Sequence, residues 1–132
     1  MAFPVEEKFI VRTESELGVC FPNSFKSKMS QDNGGEVLVG EDIYYLFPFY
    51  DDSDKKRIRK TCNSITRETL NERKHFRFPD NLIAIGNNGG GDLLVFKISE
   101  KGCLEEMVYW LNHENHDLEI VANSFGELRE GI

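Results

Sequence analysis

Long hydrophobic runs are missing from the sequence, and so is any segment with the features of a signal peptide. No apolar stretch approaches the roughly 20 residues that a membrane-spanning helix needs. Residues 1–7 lack the basic start and the apolar stretch of a secretory leader. We therefore expect a cytoplasmic protein without a membrane partner.

Cysteine is scarce, with three residues and no C-x-x-C pair. An odd number of widely spaced cysteines argues against both a secreted disulfide framework and a zinc ribbon. Cys20 lies between Val19 and Phe21, which is typical of a core position, and Cys62 falls on the apolar stripe of a predicted helix. Together with Cys103, these residues are interpreted as structural or incidental thiols, and no metal or cofactor is expected.

One segment, residues 55–77, has a strong net positive charge within an acidic chain, and we call it the basic segment. It holds nine Lys/Arg against two acids, a net charge of +7, whereas the rest of the chain holds seven against 21, a net charge of -14. A nucleic-acid-binding protein needs a broader positive footprint, so nucleic acid is not the expected partner. The basic run at 55–60 leaves two alternative partners, which are RNA and the acidic face of another protein. Most such runs are solvated helix faces, and no aromatic residue is interleaved here for base stacking.

The composition is that of a globular protein, with 39% hydrophobic and 30% charged residues. A length of 132 residues, without repeats or linkers, predicts one domain over residues 1–132. Periodicity and turn signals predict the following elements: helices over 4–17, from Pro22 and over 54–75; strands over 37–39, 43–47, 82–85, 93–98 and 107–111; and a C-terminal helix after the capping-box pair Ser124 and Glu127. This order predicts an α+β fold, an antiparallel meander with helices mainly on one face.

Several short sequence motifs, which we call landmarks, follow one another between Glu14 and Leu128. They are Leu17 and Gly18 before Pro22, then Asn33, Gly34 and Gly35, then Gly86 and Gly91 in a glycine-rich turn that ends at Asp92, and finally Ser124 and Phe125. In order and spacing they resemble the SUKH superfamily, the Smi/Knr-like family of fungal cell-wall regulators and bacterial immunity proteins. The resemblance implies a non-catalytic α+β domain that binds a protein, commonly a polymorphic toxin and often a nuclease. Lys97 departs from the acidic residue common at its position, and the basic segment matches no motif of the family.

Catalytic and ligand-binding patterns are weak. The turn at 86–92 lacks the Lys of a phosphate loop and leads into a strand, and Asp92 would repel phosphate. Asn87, Asn88 and Asp92 offer oxygen ligands without the spacing of a calcium loop. His113 and His116, with Cys103 as the nearest soft ligand, fall short of a zinc set, and we interpret them as loop residues. No nucleophile has a recognisable base beside it.

Acidic and aromatic residues are the better candidates for binding. Acids cluster at Glu41 and Asp42, at 51–54 and at 114–119, and such a surface complements the basic cleft of a nuclease. Aromatic residues dominate interface energies, although burial of Trp110 and one tyrosine in the core is an even alternative. The expected partner-binding residues are Glu41, Asp42, Tyr44, Tyr45, Asp51, Asp52, Asp54, Asp92 and Trp110.

The leading hypothesis is therefore an immunity protein that neutralises a basic toxin domain without chemistry of its own. An intracellular regulatory or scaffold domain with another target is the alternative, and a hydrolase with an unrecognised site is a third. The oligomeric state stays open, with a monomer favoured.

Overall fold

The computed structural model describes residues 3–75, 78–100 and 102–130. Its sheet has seven antiparallel strands in the order β6-β5-β4-β3-β2-β1-β7, which confirms the predicted α+β meander. The elements are α1 (Glu7–Leu17), α2 (Asn23–Gln31), β1 (Glu36–Val39), β2 (Asp42–Leu46), α3 (Lys55–Thr61), α4 (Ile65–Glu72), β3 (Leu82–Asn87), β4 (Leu93–Lys97), β5 (Val108–Leu111), β6 (Leu118–Ala122), a 3-10 turn (Phe125–Glu127) and β7 (Arg129–Glu130).

The core is one cluster of buried apolar side chains, and phenylalanines form its centre. Phe25 of α2 contacts Phe96 of β4 edge-on, with ring centroids 5.3 Å apart, and Phe125 after β6, with centroids 4.9 Å apart. Phe21 and Phe49 both pack against Phe25. The C-terminal segment therefore crosses the sheet beneath α2 before it pairs with β1.

Helix α4 covers an edge that strand β2 leaves open. Strands β2 and β3 pair only over Tyr45–Leu46, so the polar groups of Ala84 lack a neighbouring strand on that side. The Thr69 hydroxyl accepts a hydrogen bond from Ala84 N (3.0 Å) and donates to Ala84 O (3.4 Å). One turn later, Arg73 donates to Leu82 O (3.4 Å). Side chains of one helix face thus satisfy backbone groups that a strand would otherwise bind.

Two predicted helices differ from the observed elements. The helix predicted over 54–75 is interrupted because Ser64 caps a new helix, with its hydroxyl accepting from Arg67 N (3.2 Å). The predicted C-terminal helix is only a 3-10 turn, in which the Glu127 carboxylate accepts from Asn123 N (3.0 Å) and Ser124 provides no side-chain cap. The apolar residues before it form β6, which pairs with β5.

The family landmarks lie at helix ends, turns and close backbone contacts. Gly18 ends α1 with φ 70°, Pro22 precedes α2, and Leu17 packs against the core. A Cβ on Gly86 would lie 2.8 Å from Tyr45 O, so the close approach of β3 to β2 requires glycine. Asn33 is buried, and its amide accepts from Phe49 N and donates to Phe49 O, both at 2.8 Å. Gly34 and Gly35 then turn the chain into β1, both with positive φ.

Candidate functional site

One end of the sheet gathers three hairpin loops. Because the strands alternate in direction, the loops β1–β2, β3–β4 and β5–β6 all lie at the same end. Their residues and the flanking strand segments, 36–46, 86–94 and 108–122, contain no Lys or Arg. We call the carboxylates at this end the acidic end: Glu41, Asp42, Asp92, Glu114, Asp117 and Glu119. All except Asp92 are exposed, and within the described residues none pairs with Lys or Arg.

Asp92 joins two of these loops. Its Oδ1 accepts a hydrogen bond from the backbone N–H of His113 at 3.0 Å and lies 2.5 Å from the ring Nδ1 of His113. Burial raises the pKa of Asp92, but the hydrogen bonds from His113, with a contribution from the Trp110 indole, outweigh burial and hold it below the usual value. Gly91 allows this approach, since its φ is 104° and a Cβ would lie 3.1 Å from the His113 ring. Asp92 therefore remains an ionised, ordered member of the acidic end.

The three aromatic candidates have different environments. Tyr45 is 49% exposed and lies on a row of paired residues that crosses the sheet through Asn87, Leu93 and Leu111 to Leu118. Both ends of this row are exposed, whereas Leu93 and Leu111 are buried. Tyr45 is therefore available to a partner beside the acidic end.

The expectation that Tyr44 faces a partner is wrong, because its side chain is 2% exposed. It points to the opposite face of β2 from Tyr45 and belongs to the core. Burial, and then the charges of Asp92 and Asp42, raise the pKa of Tyr44 to about 12. Trp110 lies between Leu94 and Glu119 and is only partly buried. It packs against the core, and among the described residues its indole N–H has no hydrogen bond of ordinary geometry.

The acidic group at 51–54 serves the fold instead of forming a free surface. Asp51 is 3% exposed, so its expected contact with a partner is wrong. Its Oδ1 accepts from Ser53 N (3.0 Å), and its Oδ2 lies 3.6 Å from Arg57 Nε. Asp54 caps α3 and pairs with Arg57 at 2.8 Å, and the backbone N–H of Arg57 is the main cause of its lowered pKa. Asp52 pairs with Arg12 at 3.2 Å. Two arginines thus compensate most of this charge.

A cavity of about 270 Å³ lies beside the acidic end and is lined by every histidine of the chain. Leu93 and Leu111 form part of its wall together with Phe78. The remaining lining residues are Glu72, His75, Gly91, His113 and His116. Within the described ranges, no group of three His, Cys, Asp or Glu side chains could hold a metal ion. Sequence reasoning singled out His113 and His116 but did not place His75 beside them, because His75 is distant in the chain from the two loops.

The basic segment lies in the connection from β2 to β3, which leaves the sheet at the end opposite the acidic end. Arg57 and Arg73 form the internal contacts described above, and Arg67 donates to Cys62 O at 3.4 Å. Lys55, Lys56, Arg59 and Lys60 are exposed. Residues 76 and 77 lie outside the described residues. Part of the basic segment therefore stabilises the fold, and Lys55, Lys56, Arg59 and Lys60 form a solvated surface of α3.

The fold and this surface define an α+β domain built on an antiparallel meander, with charge segregated to one end. No helix in the described part of the chain is both long and apolar enough to cross a membrane. The family model of the SMI1 / KNR4 family (SUKH-1) matches residues 4–131, so the chain belongs to this family. Members of the family are protein-interaction domains that are generally non-catalytic, and both toxin immunity and regulation occur among them. No curated protein matches the chain.

Proposed function

We propose that this protein is a non-catalytic immunity protein, which binds a basic toxin domain, in particular a nuclease, through the acidic end of its sheet. The observation that carries the proposal is the convergence of three hairpin loops with six carboxylates and no Lys or Arg. A nuclease presents a positively charged cleft to phosphates. A carboxylate surface can occupy that cleft, and long-range attraction speeds the encounter.

Tyr45 is the proposed anchor of this interface. It is exposed next to the acidic end, and in the row of paired residues Asn87 lies between it and the buried Leu93. Tyrosine contributes large, rigid contact area with one polar tip, which is why it is enriched among the residues that dominate binding energy. Leu118 and Ile120 on β6, which are 36% and 56% exposed, extend the same face toward the other side of the sheet. The proposed interface therefore combines an acidic rim with a modest apolar surface.

The alternative function is regulatory binding of a different intracellular protein, and family membership favours neither. The absence of basic residues from the acidic end favours a strongly basic target, which a nuclease cleft supplies. The Asp52 and Asp54 carboxylates are not proposed as contacts, because they already pair with Arg12 and Arg57.

The experiment measures inhibition of a captured partner, not capture alone. The immobilised protein is exposed to a lysate of the source cells, and bound proteins with nuclease domains are purified and assayed on DNA and RNA. We expect stoichiometric inhibition of one basic nuclease, and rescue of cells that express it. If the captured partner is a housekeeping protein and no captured nuclease is inhibited, the regulatory function replaces this proposal.

A matched pair of variants localises the interface. Glu41→Gln, Asp42→Asn and Glu114→Gln together remove three charges from the acidic end, where all three side chains are exposed. Glu16→Gln, Glu100→Gln and Glu106→Gln remove the same charge from exposed positions elsewhere. We expect the first variant to lose inhibition at physiological salt and the second to retain it. Equal behaviour of the two variants would place the interface elsewhere.

A further inference from the structure

Two of the three cysteines lie next to each other in space, although they are 83 positions apart in the sequence. Cys20, in the loop between α1 and α2, forms an isolated parallel β-bridge with Cys103, in the connection from β4 to β5. The backbone N–H of Leu104 donates to Cys20 O at 3.0 Å, which holds the two loops together. Both side chains are exposed. The expectation that Cys20 is a core residue is therefore wrong.

The geometry suits a covalent link. Bridge partners on neighbouring extended segments lie about 5 Å apart, inside the Cα–Cα range of roughly 4.4–6.8 Å that disulfides span. The pKa of the Cys20 thiol is raised, first by its hydrogen bond with Cys103 and then by the charge of Cys103. This mutual effect agrees with two cysteines that are neighbours in a β-bridge. The third cysteine, Cys62, is exposed in the break between α3 and α4, and it takes no part in this bridge.

We propose that Cys20 and Cys103 form a reversible thiol–disulfide site, with a small-molecule disulfide such as oxidised glutathione as the oxidant. In the first step, one protein thiolate attacks the glutathione disulfide, an S–S bond forms to the protein, and one glutathione thiolate leaves. In the second step, the other protein thiolate attacks the mixed disulfide, and the second glutathione leaves. The two protein thiols lose two protons and two electrons, and one glutathione disulfide is reduced to two thiols.

The protein disulfide would join the α1–α2 loop to the β4–β5 connection. That connection lies at the end of the sheet opposite the acidic end, so the site is independent of the proposed toxin interface. The raised pKa keeps the Cys20 thiol protonated at neutral pH, so formation of the disulfide should accelerate as the pH rises, and the rise should continue beyond the ordinary thiol value near 9. A closed loop of this length restricts the unfolded chain, and oxidation should therefore raise the thermal midpoint by several degrees.

The test uses the full reduced chain in a series of glutathione buffers, with intact mass and peptide mapping as readouts. We expect a loss of about 2 Da and one Cys20–Cys103 cross-link, while Cys62 stays open to alkylation or carries a single glutathione. Cys62→Ser should cross-link like the wild type. Cys20→Ser and Cys103→Ser should each stop at a mixed disulfide and show no rise in the thermal midpoint.

Separate glutathionylation of Cys20 and Cys103 without a cross-link in the folded protein would overturn the proposal. A cross-link that includes Cys62 as often as Cys103 would also overturn it, because random collisions in an unfolded chain would explain it equally well. Circular dichroism of each variant before oxidation confirms that the comparison is made on folded protein.

Discussion

The carboxylate of Asp92 binds both the backbone N–H and the ring Nδ1 of His113, at 3.0 and 2.5 Å. This contact fixes the glycine-rich β3–β4 loop against the β5–β6 loop, and so it orders the acidic end before any partner arrives. A preordered surface loses less conformational freedom on binding than a flexible one. The same two residues account for the glycine at position 91, whose Cβ would collide with the His113 ring.

Replacement of Asp92 by Asn should reduce stability at neutral pH by about 1–2 kcal/mol, because a charge-assisted hydrogen bond is lost. The lowered pKa of Asp92 means that its contribution is present above the unfolded value near 3.8 and disappears as the pH falls through the folded value. Chemical unfolding at neutral and acidic pH measures both effects. The difference in the free energy of unfolding between wild type and Asp92→Asn should shrink below pH 4. The exposed control Asp117→Asn should leave that free energy nearly unchanged at every pH. A difference that grows in acid would contradict this assignment.

The pKa of Tyr44 depends on its burial and on the nearby carboxylates. Since its pKa is raised to about 12, it favours the folded state below the ordinary tyrosine value near 10, and that contribution is lost as the pH rises through 12. Because the pKa of Tyr109 is also raised, by burial and by Glu105, an ultraviolet absorbance titration should show two late tyrosines among the four, and Tyr44→Phe should remove the step near 12. Asp92→Asn should lower the pKa of Tyr44, because the Asp92 charge helps to raise it. Four tyrosines that titrate together in folded protein would show that Tyr44 is not buried beside these carboxylates.

Asn33 bridges the turn before β1 to the backbone of Phe49 through two buried hydrogen bonds. Asn33→Ala leaves both backbone groups without a partner, so we expect a loss of about 2–4 kcal/mol in the free energy of unfolding. Exposed Asn81→Ala should change it by less than about 0.5 kcal/mol. Denaturant unfolding compares the two variants. Equal effects would show that the Asn33 hydrogen bonds do not contribute to the free energy of unfolding.

Two threonines of α4 can be compared, because only one of them binds the edge of β3. The Thr69 hydroxyl satisfies Ala84 N and O, whereas the buried Thr66 hydroxyl has no hydrogen-bond partner among the described residues. We expect Thr69→Val to cost about 1–3 kcal/mol and Thr66→Val to be neutral or stabilising. A thermal unfolding series on both variants checks the order, and its reversal would refute the role of α4 as the cover of this edge.

Local patterns in the sequence predicted most strands and the family, but contacts between distant segments were beyond them. Two short apolar runs on either side of a glycine-rich turn identified β3 and β4, and Gly18 and Pro22 correctly marked the end of α1 and the start of α2. The interruption at Ser64 was missed because the apolar spacing continues through it. Strand β6 was missed because its apolar residues resembled the approach to a capping box.

The acidic end was likewise predicted only in part, because local sequence patterns do not show contacts between distant residues. Glu41, Asp42 and Asp92 were expected at the interface, and the meander brings them to one end together with Glu114 and Asp117. The sequence alone did not reveal that Asp51 is buried or that Arg12, 40 positions from Asp52, pairs with it. The local pairs of Arg57 with Asp51 and Asp54 were missed because the acidic run was interpreted as a free surface. Distance along the chain also explains why the three-histidine cavity and the Cys20–Cys103 bridge were not anticipated.

The most direct test of the central claim is the association rate constant with the inhibited nuclease, measured by stopped flow over a range of salt concentrations. The account predicts a fast, salt-sensitive rate for the wild type, and a rate about tenfold lower and less salt-sensitive for Glu41→Gln/Asp42→Asn/Glu114→Gln. The control Glu16→Gln/Glu100→Gln/Glu106→Gln should associate at nearly the wild-type rate. Binding through the acidic end would be contradicted if the wild-type rate constant did not change with salt concentration. It would also be contradicted if the two triple variants slowed association equally.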